Sequence, residues 1–372
     1  WRNVFLGALG HDLRGPLTAV VGTADLLVDS TRDTPHARQA ERILNGGLQL
    51  SRLVDGLLDY SKSMLGGGMK LQRSACDLHQ ALAEEIDLLR VTLREFAPVQ
   101  DEPLLAVGQV HYVGQPVFLV VADSHLAARR AARLGRITYA ERPALLTVEQ
   151  ALAANSRFED GPVVWARGDA AAAIAAAPHV ISAEMEVGGQ EHFYLEGQIA
   201  AALPQEGGDM VIHSSTQHPS EIQHKVADAL GLGLHDVQVV MRRMGGGFGG
   251  KESQGNALAV ACAVAAKATG KPCKMRYDRD DDMMITGKRH DLRIKYRVGH
   301  DAEGRILGVE FTHLFRCGWS QDLSLPVADR AMLHADNCYH LPNIRIESHR
   351  LRTHTQSATA FRGFGGPQGM VG

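Results

Sequence analysis

Cysteine is scarce in this 372-residue sequence, and the five that occur are scattered. Cys76, Cys262, Cys273, Cys317 and Cys338 include no C-x-x-C pair. That excludes an in-chain iron–sulfur cluster of the common spacing and argues against a disulfide framework. Reduced thiols in the cytoplasm are the simplest reading. Net charge is nearly absent as well, at −3. Residues 1–97 carry 11 Lys/Arg against 12 Asp/Glu and the remainder 28 against 30, so neither part is a basic arm. Nucleic-acid binding therefore has no electrostatic support. No apolar run approaches the ~18 residues of a membrane span. Eighteen histidines show no H-E-x-x-H spacing, so zinc is not indicated.

Glycine, by contrast, is concentrated. Arg242-Arg243-Met244-Gly245-Gly246-Gly247-Phe248-Gly249-Gly250-Lys251-Glu252 has almost no side-chain bulk. Such a backbone can take φ > 0 and approach a ligand closely. It follows the apolar run Val237–Met241, read as a buried strand, and precedes an alanine- and valine-rich helix at Asn256–Lys267. Strand, glycine loop and helix together frame an anion site. Two stock motifs fit poorly. G-x-x-x-x-G-K is followed by Glu252, which cannot supply the Mg²⁺ hydroxyl. G-x-G-x-x-G lacks its acidic residue ~20 positions on. A purely structural loop is the bland alternative.

The chain is long enough for two or three domains. Leu6, Leu9, Leu13, Leu17, Val20, Ala24 and Leu27 step by three and four, as one face of a helix does. Ser30–Pro35 breaks it, and a second face runs Ile43, Leu50, Val54, Leu57. Two such helices predict an antiparallel hairpin that must pair to cover its apolar face. From Val99 the composition changes. Leu104–Val121 reads as strands, Ser124–Leu134 as a helix, Ile137–Tyr139 as another strand, and the span to Arg167 as loop-rich. Asp278–Asp282 reads as a solvated or capping charge run. The tetrapeptide G-F-G-G occurs at 247–250 and again at 363–366, so two bare loops could clasp one large cofactor.

His11-Asp12-Leu13-Arg14-Gly15-Pro16-Leu17 resembles the H-box of sensor histidine kinases, and Leu53–Ser61 that family's second helix. The resemblance covers residues 1–70. It implies His11 as phosphoacceptor, Asp12 as the acidic neighbour that assists transfer, and a homodimer through residues 1–70. No ATP-lid motif follows, so autophosphorylation within the chain is not expected.

Gln190–Glu196, Ser214–Pro219, the first glycine loop, Tyr277–Met283, Asp329–His334 and Thr359–Gly369 together resemble the molybdenum hydroxylases of the xanthine dehydrogenase type. The resemblance runs from Val99 to the end. It implies an α+β chain in three parts. Residues 1–97 are the helical hairpin plus a linker helix, 98–152 part of a hammerhead-like domain, and 153–372 the first part of a molybdopterin-binding domain. It also implies oxidative hydroxylation of purines, from hypoxanthine or xanthine to urate. FAD and 2Fe-2S modules on a partner chain would take the electrons. Gln217 would donate its amide N–H to an oxygen on molybdenum, and Phe248, Gly249 and Arg362 would hold the pterin and the metal's oxygens. Glu252 would hydrogen-bond the purine, Arg330 would steady negative charge on it, and Phe364 would stack on its ring. The family's later half, with further cofactor contacts, is not in this sequence. The two resemblances meet near Phe96-Ala97-Pro98, which leaves a third reading open: a chimera with no function of its own.

Overall fold

The computed structural model describes residues 2–31, a few positions between 34 and 44, and residues 102–372, with side chains from Pro16 onward. The first expected helix is α1 (Arg2–Thr31), which carries Pro16 in its interior. The second helix of the expected hairpin lies outside the described residues, apart from isolated positions such as Ile43. Val20 and Leu27 on α1 are exposed.

The strands expected over Leu104–Val121 and Ile137–Tyr139 do not form. Strand character needs a pairing neighbour, and within the first segment the described backbone bonds are Ala106 N–H to the Pro116 carbonyl at 2.7 Å and the turn bond Gln115 N–H to the Tyr112 carbonyl at 3.4 Å. The helix does form, as α2 (His125–Ala132), with Ser124 capping the Ala127 N–H. The span to Arg167 is less loop-rich than its composition suggests. It holds α3 (Val148–Ala153), started by a Thr147/Gln150 capping box, and β1 (Val163–Arg167).

Two mixed sheets organise the rest. The larger has the order β1-β9-β8-β7-β2, built from β2 (His179–Val187), β7 (Leu292–His300), β8 (Ile306–Gly318) and β9 (Ile344–Arg352). Only β8 and β9 run parallel within it. Helix α4 (Ala170–Ala176) lies on it where Gly299 and Gly308 leave room. The smaller sheet has the order β5-β4-β3-β6, from β3 (Ile199–Pro204), β4 (Met210–Ser214), β5 (Val237–Val240) and β6 (Cys273–Arg276). Helices α5 (Pro219–Leu230) and α6 (Asn256–Thr269) pack with it. An alanine- and valine-rich helix is apolar all round, so α6 is buried along nearly its whole length. Short α7 (Arg279–Ile285) follows β6, its N-terminus capped by Asp278. A second core joins the larger sheet to α8 (Ser324–Leu333) through Leu292, Ile294, Phe315, Ala328 and Met332. The chain closes with α9 (Gly366–Val371).

The second core contains a titratable weak point. Neither ring nitrogen of buried His313 has a hydrogen-bond partner among the described residues. Burial, and secondarily the Arg350 guanidinium, lower its imidazole to about 4. The unfolded chain, titrating near 6.5, then binds more protons between pH 4 and 6.5, so stability falls as pH falls through that window. We expect on the order of 1–3 kcal/mol to be lost between pH 7 and 4 on this account. Urea unfolding of the parent and His313→Leu at both pH values should show a shallower acid loss in the variant.

Candidate functional site

The first glycine loop leaves β5 and enters α6, in the expected frame. The second leaves the segment after β9 and enters α9. Both G-F-G-G tetrapeptides fold the same way. Phe248 and Gly249 have φ of 53° and 97°, and Phe364 and Gly365 have 51° and 91°. In each, the fourth N–H returns to the first carbonyl: Gly250 to Gly247 at 2.8 Å and Gly366 to Gly363 at 3.1 Å. Positive φ at both central residues is the pattern of a type I′ turn. The loops then meet, because the Arg362 N–H donates to the Phe248 carbonyl at 2.9 Å. A Cβ on Gly249 would lie 2.7 Å from the Ala360 carbonyl oxygen, a backbone atom that cannot swing away.

Gln217 is fixed against the first loop. Its Oε1 accepts the N–H groups of Gly249 at 2.9 Å and Lys251 at 3.2 Å. Two backbone donors on one atom identify it as the oxygen, so Nε2 is the end left over. That amide donates to no group among the described residues, and Gln217 is exposed. The N–H groups of Gly246, Gly247 and Phe248 likewise find no backbone acceptor among the described residues. Bare donors at alternating φ suit an anionic or oxygen-rich ligand. Phe248 itself is 47% exposed. The Glu252 carboxylate, one turn further on, forms no side-chain hydrogen bond or ion pair among the described residues. Burial, with Glu221 nearby, raises its carboxyl above the ordinary value, and His218 works the other way.

Below the loop lies a polar network that the motifs did not single out. Lys251 is 0% exposed. Its ammonium donates to Ser215 Oγ at 2.8 Å, lies 3.4 Å from Glu196 Oε2 and sits 4.7 Å above the Tyr194 ring. Burial lowers its pKa, with Glu196 opposing. Glu196 Oε2 also accepts the Gly245 N–H at 2.7 Å. On the other side, Gln198 donates to the Gly250 carbonyl at 2.7 Å and to Tyr194 Oη at 3.0 Å. Tyr194 donates to Asp282 at 2.6 Å. Asp282 is therefore buried and bonded, in contrast to the solvated charge run expected at 278–282. Asp278 does cap, accepting from the Asp281 N–H at 3.0 Å.

Of the expected residues, the structure brings Gln217, Phe248, Gly249 and Glu252 together, and joins Arg362 to them through its backbone. Phe364 is in the second turn. Arg330, exposed in the last turn of α8, flanks that turn, its Nε 3.8 Å from where a Cβ on Gly366 would be. No hydrogen bond or ion pair links Arg330 to Glu252. The side chains of His11 and Asp12 lie outside the described atoms. A groove of about 850 Å³ between Phe118–Ala122 and β6 touches none of these residues. No helix among the described residues is long and apolar enough to cross a membrane.

Comparison with known proteins places three families along the chain. Residues 153–372 match the molybdopterin cofactor-binding domain, 84–143 the a/b hammerhead domain of aldehyde oxidase and xanthine dehydrogenase, and 1–66 the His Kinase A (phospho-acceptor) domain. Xanthine dehydrogenase of Drosophila subobscura is 45% identical over 76% of this chain and 21% of its own length. Nicotinate hydroxylase of Emericella nidulans is 40% identical over 73% of this chain and 20% of its own. The chain thus spans about a fifth of these relatives. Among solved structures, quinoline 2-oxidoreductase from Pseudomonas putida 86 matches with a TM-score of 0.65 at 26% identity, over 71% of this chain and 35% of that one. Aldehyde oxidoreductase from Desulfovibrio gigas shares the fold with a TM-score of 0.68 at 22% identity, over 93% and 48%.

The contact between the loops leads to a sharp contrast in glycine substitution. Gly249→Ala combines φ of 97° with a backbone clash, and should cost about 2 kcal/mol or more. Gly255→Ala, at φ of −77° with its nearest neighbour 3.5 Å away, should stay within about 0.5 kcal/mol. Chemical denaturation of the two variants reads the difference directly.

Proposed function

Because the chain belongs to the molybdopterin cofactor-binding domain family, we propose that residues 153–372 form one wall of a molybdopterin site that hydroxylates purines. The observation that carries this reading is the locked amide of Gln217, whose oxygen is taken by the Gly249 and Lys251 N–H groups and whose N–H₂ is left as a donor. The residues fit the group. Glycine turns admit a large ligand, and free backbone N–H groups answer its oxygens. When bound, molybdopterin supplies two-electron redox chemistry.

The chain's own side chains divide the remaining work. Gln217 donates without adding charge, and Phe248, Gly249 and Arg362 line the cofactor wall. Glu252 and Arg330 address the purine. An unpaired, partly buried carboxylate hydrogen-bonds its ring nitrogens, and an unpaired guanidinium stabilises negative charge developing on the ring. Phe364 stacks on the ring face. Residues 98–152 act as part of the hammerhead-like domain. A partner chain bearing FAD and 2Fe-2S clusters receives the electrons in the cytoplasm. The alternative, a histidine phosphoacceptor, is favoured for the N-terminal part by the match over residues 1–66, with residues 1–70 dimerising as a hairpin pair and His11 phosphorylated in trans.

Purified chain should bind little or no molybdenum and give no xanthine-dependent dye reduction; steady reduction would contradict the one-wall reading. In equilibrium titration, Glu252→Ala and Arg330→Ala should each weaken xanthine binding about tenfold, or ~1.4 kcal/mol. Unchanged affinity in both would remove them from the purine site. For the N-terminal part, a histidine kinase supplied in trans should label the parent but not His11→Gln with acid-labile phosphate.

A further inference from the structure

We propose that Asp322 is a positioning residue that ties together the three segments carrying Glu252, Arg330 and Arg362. Its carboxylate accepts from Gln254 Nε2 at 3.3 Å. Ser253, beside Gln254, has its hydroxyl 3.4 Å from that of Thr359, which brings the third segment to the same place. Ser253 and Gln254 follow Glu252 directly. Thr359 stands three residues before Arg362. Asp322 itself precedes α8, whose last turn holds Arg330. The Asp322–Gln254 bond and the Ser253–Thr359 contact therefore join the segments that carry Glu252, Arg330 and Arg362.

The orientation of the link is determined. Gln254 Oε1 is occupied by the Gly287 N–H at 2.6 Å, so the amide presents its N–H₂ to Asp322. Thr359 is held in turn by its N–H to the Lys288 carbonyl at 2.9 Å. The hydroxyl of Ser324, two residues beyond Asp322, bonds His290 at 2.7 Å, which fixes the start of α8 to the same region.

Asp322 is costly where it stands. Its φ is 40°, in the region that disfavours side chains other than Gly, Asn and Asp. Burial, with Glu221 adding to it, raises its carboxyl to about 6 against the Ser253 and Thr359 hydroxyls. A desolvated acid opposes global stability at neutral pH. Its contribution is the junction. Its effect on purine recognition rests on the reading of Glu252 and Arg330 given above.

The test compares Asp322→Ala and Asp322→Asn in the full chain by hydrogen exchange, melting and xanthine titration. For Asp322→Ala we expect about tenfold faster exchange in peptides spanning 252–256 and 359–363, and about tenfold weaker xanthine binding. Asn accepts φ > 0 and keeps one acceptor, so Asp322→Asn should recover part of both effects. The melting temperature of Asp322→Asn, which removes the buried charge and suits φ > 0, should not fall. A lower melting temperature with unchanged exchange in the two peptides would show an ordinary structural residue and overturn the proposal; so would unchanged exchange and affinity. If Asp322→Ala fails to fold, Ser253→Ala takes its place and must loosen 359–363 to uphold the link. A parent chain that binds no xanthine, while Asp322→Ala still loosens both peptides, would sink the purine reading and leave the positioning role standing.

Discussion

The contact on which the site depends is a single backbone hydrogen bond between two loops that have almost no side chains in the way, Arg362 N–H to the Phe248 carbonyl. It can form only because Gly249 has no Cβ to meet the Ala360 carbonyl. The same bareness leaves Gly246, Gly247 and Phe248 with unspent N–H groups at the surface of the junction. A loop built merely to turn the chain would satisfy these donors internally or present them to water at an edge. Here they are gathered beside the one amide donor of Gln217, and that concentration of unmatched donors is what a large oxygen-bearing ligand requires.

Holding such a loop still takes charge where packing cannot. Glycines offer no apolar surface, so the hydrophobic effect does little for residues 245–250. Glu196 and Gln198 instead bond the loop's backbone from below, and Lys251, Tyr194 and Asp282 hold those two residues in turn. A buried ammonium is expensive to desolvate, and an apolar replacement often leaves the fold as stable or more so. The network is therefore better understood as specifying one loop conformation than as supplying stability. Asp322 shows the same economy on the far side of the site.

What could be read from the sequence was local. Val237–Val240, the glycine loop and α6 each declare themselves within a dozen residues, through an apolar run, missing side chains and an all-apolar helix. The repeated G-F-G-G likewise announced a two-sided arrangement, and the two turns do adopt matching φ values and touch. Leu104–Val121 had strand composition but no neighbour to pair with, and pairing is a property of the fold, not of the segment. Asp282 reads as part of a solvated or capping charge run, and Lys251, Glu196 and Asp322 draw no role of their own, because charged residues usually face solvent. Each is buried or bound by partners far away in the chain, as with Tyr194 and Asp282, and no spacing rule encodes such a pair.

The two loops belong to different cores. The first hangs from the smaller sheet and α6, and the second from the larger sheet and α8. What crosses between them is polar: Arg362 to Phe248, His192 Nε2 to the Ala360 carbonyl at 2.6 Å, Gln254 to Gly287, and Asp322 to Gln254. Each core is a separate apolar cluster, and neither carries all of the candidate site residues. Gln217 and Glu252 come from one side, Arg330, Arg362 and Phe364 from the other. A seam of short directional bonds, unlike an apolar one, allows one register and rejects its neighbours, because a slip of an ångström leaves several groups unpaired at once. The geometry of the site is thus set less by either core than by the hydrogen bonds between them.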